Sequence, residues 1–340
     1  MKIIVDAMGG DNAPDEIIKG ALLAISDKKT DVVLVGDGEA ILRAFERLDI
    51  KALPRGVEIS NASEVIGMDD DPSTAVRVKK DSSLTVALNL LRDGNGDACV
   101  SAGNTGALLS GATLIVKRVR GIRRAALAPI IPTAGGGFII IDCGANSECT
   151  AEYLLQFAYM GSFYAESAFC TDKPRVGLLN NGAERTKGTP LLIETYDLLE
   201  KAGADGSLNF TGNVEPKDAI NGACDVLVCD GFTGNILLKA LEGMASYIMS
   251  EIKSVYKTNV FTKLSALMIK KHILKLRSRM NPDNIGGTIL LGISKPVVKA
   301  HGSSNAAAIC SAILQAARAV DSQIATRLHD NIARMKLDEQ

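Results

Sequence analysis

Short apolar runs rich in Val and Ile recur along this chain, and each ends in a loop of small or polar residues before a helical spacing of apolar positions takes over. Lys2–Asp6 runs into Met8-Gly9-Gly10-Asp11, Val32–Val35 into Gly36-Asp37-Gly38, and Ala98–Ser101 into Ala102-Gly103-Asn104-Thr105-Gly106. Phe138–Asp142 leads to Cys143-Gly144-Ala145-Asn146, and Arg175–Leu179 to Asn180-Asn181-Gly182. Val226–Cys229 precedes Asp230-Gly231-Phe232-Thr233-Gly234-Asn235, and Val297–Lys299 precedes Ala300-His301-Gly302-Ser303-Ser304-Asn305. Seven such junctions predict an α/β protein with a largely parallel sheet. Helical spacing covers Pro14–Ile25, Glu39–Leu48, Ser82–Arg92, Glu152–Phe169, Pro190–Lys201, a long stretch from Asn235, and Ser304 to about Arg334. Pro14 suits a first helical turn, with Asn12 near its cap. No Pro- or Ser-rich linker and no low-complexity tract divides the chain, so residues 1–340 read as one unit with a seam near Gly135-Gly136-Gly137.

Composition narrows the class. A folded chain of 35.9 kDa should expose about 13,000 Å² and bury about three quarters of its unfolded surface, which is ample for a core without disulfides or metal. With 38 basic against 39 acidic residues, 4% aromatics and no Trp, neither a global basic field nor stacking platforms for nucleic acid are present. The apolar stretch at the N-terminus stops at Asp6, too short for a signal peptide. The longest uncharged run, Cys99 to Val116, holds three Gly, two Ser, two Thr and an Asn, and makes a poor membrane span. Seven scattered Cys without a Cys-x-x-Cys pair read as reduced, mostly buried thiols of a cytoplasmic protein.

The loops after the strands are loaded with Gly, Asn, Ser and Thr, residues that let backbone approach a ligand and supply neutral donors. Tight strand-to-helix turns alone would also use Gly and Asn, but recurrence at several loops favours a phosphate- or anion-binding surface. Absent motifs remove several chemistries. No Gly-x-Gly-x-x-Gly follows a strand, and Lys187 stands before Gly188 instead of after it, so neither a dinucleotide fingerprint nor a Walker A loop is present. His272, His301 and His329 are unpaired at metal spacing, which argues against zinc, and no nucleophile elbow supports a covalent acyl-enzyme. What fits is a transfer that positions two substrates and stabilises developing negative charge. Backbone N–H groups of Gly103 to Gly106, around Asn104 and Thr105, and of Gly231 to Asn235, including Gly234, can cradle a phosphate or an oxyanion. Lys187 and Arg185 can offset charge, or sit as solvated loop cations. His301 can carry a proton or rest as a satisfied strand-end His, and Ser303 and Ser304 also read as helix caps.

Residues 251–280 hold eight Lys or Arg and one acid, a local charge of +7, so the rest of the chain carries −8. Val260, Phe261, Leu264, Leu267 and Met268 recur there at helical spacing, followed by Ile269, Ile273, Leu276 and Met280, and Asn281-Pro282-Asp283 stops the pattern. A basic amphipathic helix or helical hairpin of this kind can lie on an anionic membrane surface or pack in a dimer interface.

From its first residues to about Arg334 the chain resembles the bacterial phosphate acyltransferases that turn acyl-[acyl carrier protein] and inorganic phosphate into acyl phosphate for phospholipid synthesis. The resemblance rests on VDAMGGDNAP, SAGNTGA, DCGAN, CDGFTGNILLK and AHGSSNA, in that order. It implies an α/β/α sandwich like that of isocitrate and isopropylmalate dehydrogenases, a homodimer, and no metal or nucleotide cofactor. It also implies a cytoplasmic enzyme held peripherally at the inner face of the cell membrane. Its partners would be acyl carrier protein and, functionally, the membrane glycerol-3-phosphate acyltransferase that uses the product. Similarity to phosphotransacetylases places phosphate near Ser303 and Ser304, with Asn305 beside them; the mechanism expected from the loops is direct attack of phosphate on the thioester, with Asn235, Lys187 and His301 as the groups that act on it. Around Lys187 the chain departs from the family, with Asn181 and Thr189-Pro190 in place of an apolar residue and a more polar pair. A metal- and NAD(P)-dependent hydroxyacid dehydrogenase of the same fold would instead need several clustered acids and would titrate with NAD or NADP. A lipid- or carrier-binding module would turn nothing over.

Overall fold

The computed structural model describes residues 1–27, 30–133, 135–280 and 286–335, apart from the side chains at 27, 260 and 274–280. The first half runs β1 (Lys2–Asp6), α1 (Asp15–Asp27), β2 (Asp31–Gly36), α2 (Gly38–Arg47), β3 (Val57–Asn61), α3 (Ala75–Val78), α4 (Ser83–Arg92), β4 (Ala98–Ser101), α5 (Thr105–Gly111) and β5 (Ala126–Ala128). Then follow β6 (Ile130–Ile131), β7 (Phe138–Ile141), α6 (Ala151–Phe169), β8 (Arg175–Leu179), α7 (Pro190–Ala204), β9 (Asn209–Val214), α8 (Pro216–Ile220) and β10 (Val226–Val228). The chain ends with α9 (Gly231–Lys257), α10 (Val260–Met280), β11 (Thr288–Leu291), β12 (Val297–Lys299), α11 (Ala306–Asp321) and α12 (Ile324–Asp330).

The strands form two sheets, ordered β3-β2-β1-β4-β12-β11-β5 and β6-β7-β10-β8-β9. Among the described strands only β11 and β6 run against their neighbours. Successive strand residues face opposite layers, because side chains alternate along a strand. Ile3, Val5, Val32 and Leu34 pack with Ile18 of α1 and Ile309 of α11, whereas Ile4, Val33 and Val35 pack with Leu84 and Leu88 of α4. In the second sheet Ile139 and Ile141 join Leu154 and Phe157 of α6, while Ile140 and Leu227 join Ala219 of α8 and Leu237 of α9. The result is the expected three-layer α/β/α sandwich, with strands buried on both faces as parallel sheets require. Each fully buried aliphatic side chain in it contributes about 1.5–3 kcal/mol.

The passage between sheets falls at Pro129, between β5 and β6, and Ile140 N donates to the Pro129 carbonyl at 3.1 Å. Gly135 to Gly137 lie beyond it, in the connection of the β6–β7 pair. Strands β3, β5, β6, β9 and β11 escape the sequence pattern because they are very short, as with the two-residue β6, or mix polar residues, as in NFTGNV of β9. The helical stretch expected from Ser304 to Arg334 breaks between α11 and α12, where Gln323 takes a left-handed φ of 50°. Asn12 does not cap α1 through its side chain. Its Nδ2 donates to the carbonyls of Ser303 and Ser304 at 3.2 and 3.3 Å, tying the β1 loop to the β12 loop.

The chain exposes 16,704 Å², above the roughly 13,000 Å² of a compact protein of its mass. Part of the excess lies on α9 and α10, where Phe261 and Met268 are 83% and 84% exposed. α10 opens on a reciprocal cap, in which Asn259 Oδ1 accepts from Thr262 N and Thr262 Oγ1 accepts from Asn259 N. The side chains of Val260, Leu276 and Met280, and Asn281-Pro282-Asp283, lie outside the described residues.

Cys99, Cys143, Cys224 and Cys229 are buried, and burial pushes the Cys143 and Cys224 thiols up to about 12. Cys170 is exposed. Since the thiolate is the reactive form, a short iodoacetamide pulse on the native protein should label Cys170 at least about a hundredfold faster than these four. Peptide mass mapping reads this, and equal labelling of Cys99 would contradict the packing described.

Candidate active site

Chain growth reverses across the first sheet between β1 and β4, the position at which an open α/β sheet leaves a crevice beyond its strand ends. Asp6 closes β1 there, fully buried, with Ser101 Oγ donating to its Oδ2 at 2.7 Å and Met8 N to its Oδ1 at 3.3 Å. Burial pushes its carboxyl up, and these bonds pull it back. The β1 and β4 loops meet so closely that a Cβ at Gly9 would stand 2.6 Å from Asp6 Oδ2 and 2.7 Å from the Gly103 nitrogen.

Several residues singled out in these loops already have structural partners. Gly103 N donates to Ser101 Oγ at 3.1 Å, so it is not a free donor. Asn104 Oδ1 caps α5 by accepting from Ala107 N at 3.0 Å. Its Nδ2 lies 3.1–3.3 Å from the carbonyls of Gly67, Met68 and Asp70, which holds that loop. Gly106 packs on Pro72, where a Cβ would come within 2.6 Å. Asn305 caps α11 through Ala308 N, and Glu16 Oε2 accepts from Ala306 N at 2.8 Å, so much of that helix start is satisfied. Ser304 is buried, with its N–H on the His301 carbonyl. Thr105, His301 and Ser303 remain exposed. His301 Nδ1 accepts from Ser303 N at 3.3 Å and lies 2.9 Å from Ser303 Oγ, which puts the ring N–H on Nε2.

In the second half, Asp142 directly follows β7 with no exposed surface and gathers five donor contacts. Its Oδ1 accepts from Leu127 N, Cys143 N and Ala145 N at 2.8, 2.6 and 3.3 Å. Its Oδ2 accepts from Asn146 N and Nδ2 at 2.6 and 2.9 Å. Burial raises this carboxyl's pKa, and the donors oppose the rise. Because Leu127 belongs to β5, this carboxylate also ties the two sheets together. The start of α9 lies directly on this loop. A Cβ at Gly231 would stand 2.6 Å from Asp142 Oδ2, and one at Gly234 would run into the Asp142 carbonyl, so Gly234 serves close packing. Asn235 follows, exposed and beside Gly144.

Between the halves lies a cleft of about 550 Å³. One wall carries Thr105, Lys299, His301 and Ser303 from the strand ends of the first sheet. The other is α9 with Leu238 and Lys239 one turn beyond Asn235 and Glu242 two turns beyond it. Leu127, Ile130 and Ile131 supply an apolar floor. Lys187 does not line this cleft. It sits after β8, which neighbours β10, and thus on the same carboxyl edge as the start of α9. Arg185 is held on α7 by Asp197 and Glu200 at 2.8 and 3.2 Å, a structural role. Sequence reading missed Lys299, Asp6 and Asp142 as site residues. Their shared signal is a charge closing an otherwise apolar strand, where burial makes an ionisable group costly unless it has a purpose.

A family model described as fatty acid synthesis protein matches residues 1–327. A phosphate acyltransferase of Thermoanaerobacter pseudethanolicus is 46% identical over 336 residues, covering 98% of each chain. That of Lactococcus lactis subsp. lactis is 44% identical over 339 residues, covering 98% of this chain and 99% of the relative. Among solved structures, a phosphotransacetylase from Streptococcus pyogenes aligns over 94% of both chains with a TM-score of 0.63 at 19% identity. A 4-hydroxythreonine-4-phosphate dehydrogenase from Klebsiella pneumoniae aligns over 94% of this chain and 99% of its own with a TM-score of 0.54 at 14% identity. The fold is thus shared by transferases and dehydrogenases and does not choose between them. Identity sustained along the whole length does choose, and by it the chain belongs to the phosphate acyltransferase family, enzymes of fatty acid and phospholipid synthesis.

Proposed function

We propose that the chain transfers the acyl group of acyl-[acyl carrier protein] to inorganic phosphate in the cleft between its two sheets, giving acyl phosphate and free carrier thiol. The observation that carries this is one cleft joining an apolar floor, Leu127, Ile130 and Ile131, to a polar lip of Thr105, His301 and Ser303. An acyl chain suits the first and a phosphate the second. A phosphate oxygen bonds to the thioester carbonyl carbon, the carbon–sulfur bond breaks, and the proton that phosphate brings ends on the thiol. Thr105 and Ser303 orient phosphate, and His301 Nε2–H serves the leaving sulfur or the phosphate. Asn235 donates to the oxyanion, and Lys187 offsets charge from the neighbouring loop. Purified protein given palmitoyl-acyl carrier protein should release carrier thiol only with phosphate, with acyl phosphate trapped by hydroxylamine. An intact thioester after incubation would leave a binding module as the better reading.

The enzyme acts as a homodimer at the inner face of the cytoplasmic membrane, delivering product to the membrane glycerol-3-phosphate acyltransferase. Support comes from the apolar residues left exposed on the helical pair, Phe232 and Tyr247 on α9 and Phe261, Leu264, Leu267 and Met268 on α10. No helix among the described residues is long and apolar enough to cross a membrane. Leu264→Glu with Leu267→Glu should release the protein from anionic vesicles in a flotation assay while keeping activity in solution. Unchanged flotation would remove α10 as the contact.

A further inference from the structure

Two lysines line the cleft, in opposite situations. Lys239 is exposed and paired with Glu242 at 2.8 Å. Lys299 closes β12 at 9% exposure, and its Nζ reaches only carbonyl oxygens, that of Ala102 at 3.3 Å and that of Ala300. Among the described residues no carboxylate lies within ion-pair distance of it, and Asp6 and Asp11 act on it only through space. A cation taken from water with two carbonyl dipoles and no carboxylate in contact is only partly compensated, so an anion entering the cleft gains more here than beside a paired or solvated lysine. Its two carbonyl contacts also fix the ammonium beside the loops that carry Thr105, His301 and Ser303.

We propose that Lys299 is the charged residue that binds the attacking phosphate, holding it against the Thr105 and Ser303 hydroxyls. This rests on the cleft being the site of transfer. Lys299→Met keeps the length of the stem and removes the charge. Its KM for inorganic phosphate should rise at least about thirtyfold, in line with the loss of a charge-assisted hydrogen bond, while KM for palmitoyl-acyl carrier protein changes less than about threefold. A wild-type phosphate KM in a folded Lys299→Met protein would overturn the assignment, as would equal rises in both KM values.

A second reading needs no variant. Burial pushes the Lys299 pKa down to about 8. Phosphate is already dianionic there, so in the wild type its KM should rise about tenfold from pH 7.5 to 9 as the ammonium loses its proton. The charged or titratable groups facing Lys299 are Asp6 and Asp11 from the β1 side, His301 on its own loop, and Lys239 with Glu242 across the cleft. Lys239→Gln should keep the rise and Lys299→Met should abolish it; a rise that vanishes in Lys239→Gln, or that persists in Lys299→Met, would rule Lys299 out. Thiol release by the wild type that needs no phosphate would instead sink the reading of the cleft, whatever Lys299 does.

Discussion

Asn235→Ala is expected to lose a hundredfold or more in turnover while the protein keeps its fold. The side chain is exposed in the first turns of α9 and no side-chain hydrogen bond among the described residues depends on it, so alanine, the best helix former, leaves the helix intact. What the proposed reaction would lose is a donor to the thioester oxygen, positioned one turn before the α9 residues that line the cleft. Removing one such donor costs about 3–4 kcal/mol in the barrier, and each 1.36 kcal/mol is tenfold in rate. Single-turnover rates beside thermal unfolding midpoints make the check. A rate within about threefold of the wild type, at an unchanged midpoint, would take Asn235 out of the reaction.

Asp142→Asn should be the most damaging conservative change in the molecule. The amide oxygen can still accept from Leu127, Cys143 and Ala145, but the new NH2 faces the Asn146 N–H and side-chain amide, both donors. Donors facing donors in a site with no exposed surface leave the groups unsatisfied, at about 1–3 kcal/mol each. A loss of about 3–5 kcal/mol follows, since breaking a buried charged network from one side has that size. Urea unfolding measures it directly. A change below about 1 kcal/mol would mean that the link between β5 and the β7 loop carries little of the stability. The same substitution should also lower activity, because Gly231 and Gly234 seat α9 on this loop and Asn235 follows them.

The strand-to-helix junctions were legible in the chain because their causes are local. A run such as KIIVD must be buried on both faces, and the glycines and asparagines after it can only be a turn. That is why β1, β4, β8 and β12 were expected at the bounds they have, and why the loops were marked as the ligand-facing edge. Composition likewise set aside nucleic acid from its balance of charge, and five motifs in order indicated the family that identity along the chain later established.

What the tertiary structure decided is which polar groups are free. Asn104, Asn305 and the Gly103 N–H looked like ligand donors, yet the two asparagines already satisfy backbone groups and the Gly103 N–H already donates to the Ser101 hydroxyl. Lys299 looked like the end of a strand, yet it is buried against two carbonyls with no carboxylate in contact among the described residues. A sequence lists donors and acceptors but not their partners, and those partners come from loops far apart along the chain. Asp142 pairs with Leu127 across two sheets, and Glu16 with Ala306 across most of the chain. The elements follow from local patterning, whereas the site follows from which hydrogen bonds remain unmade once the sheets have brought those loops together.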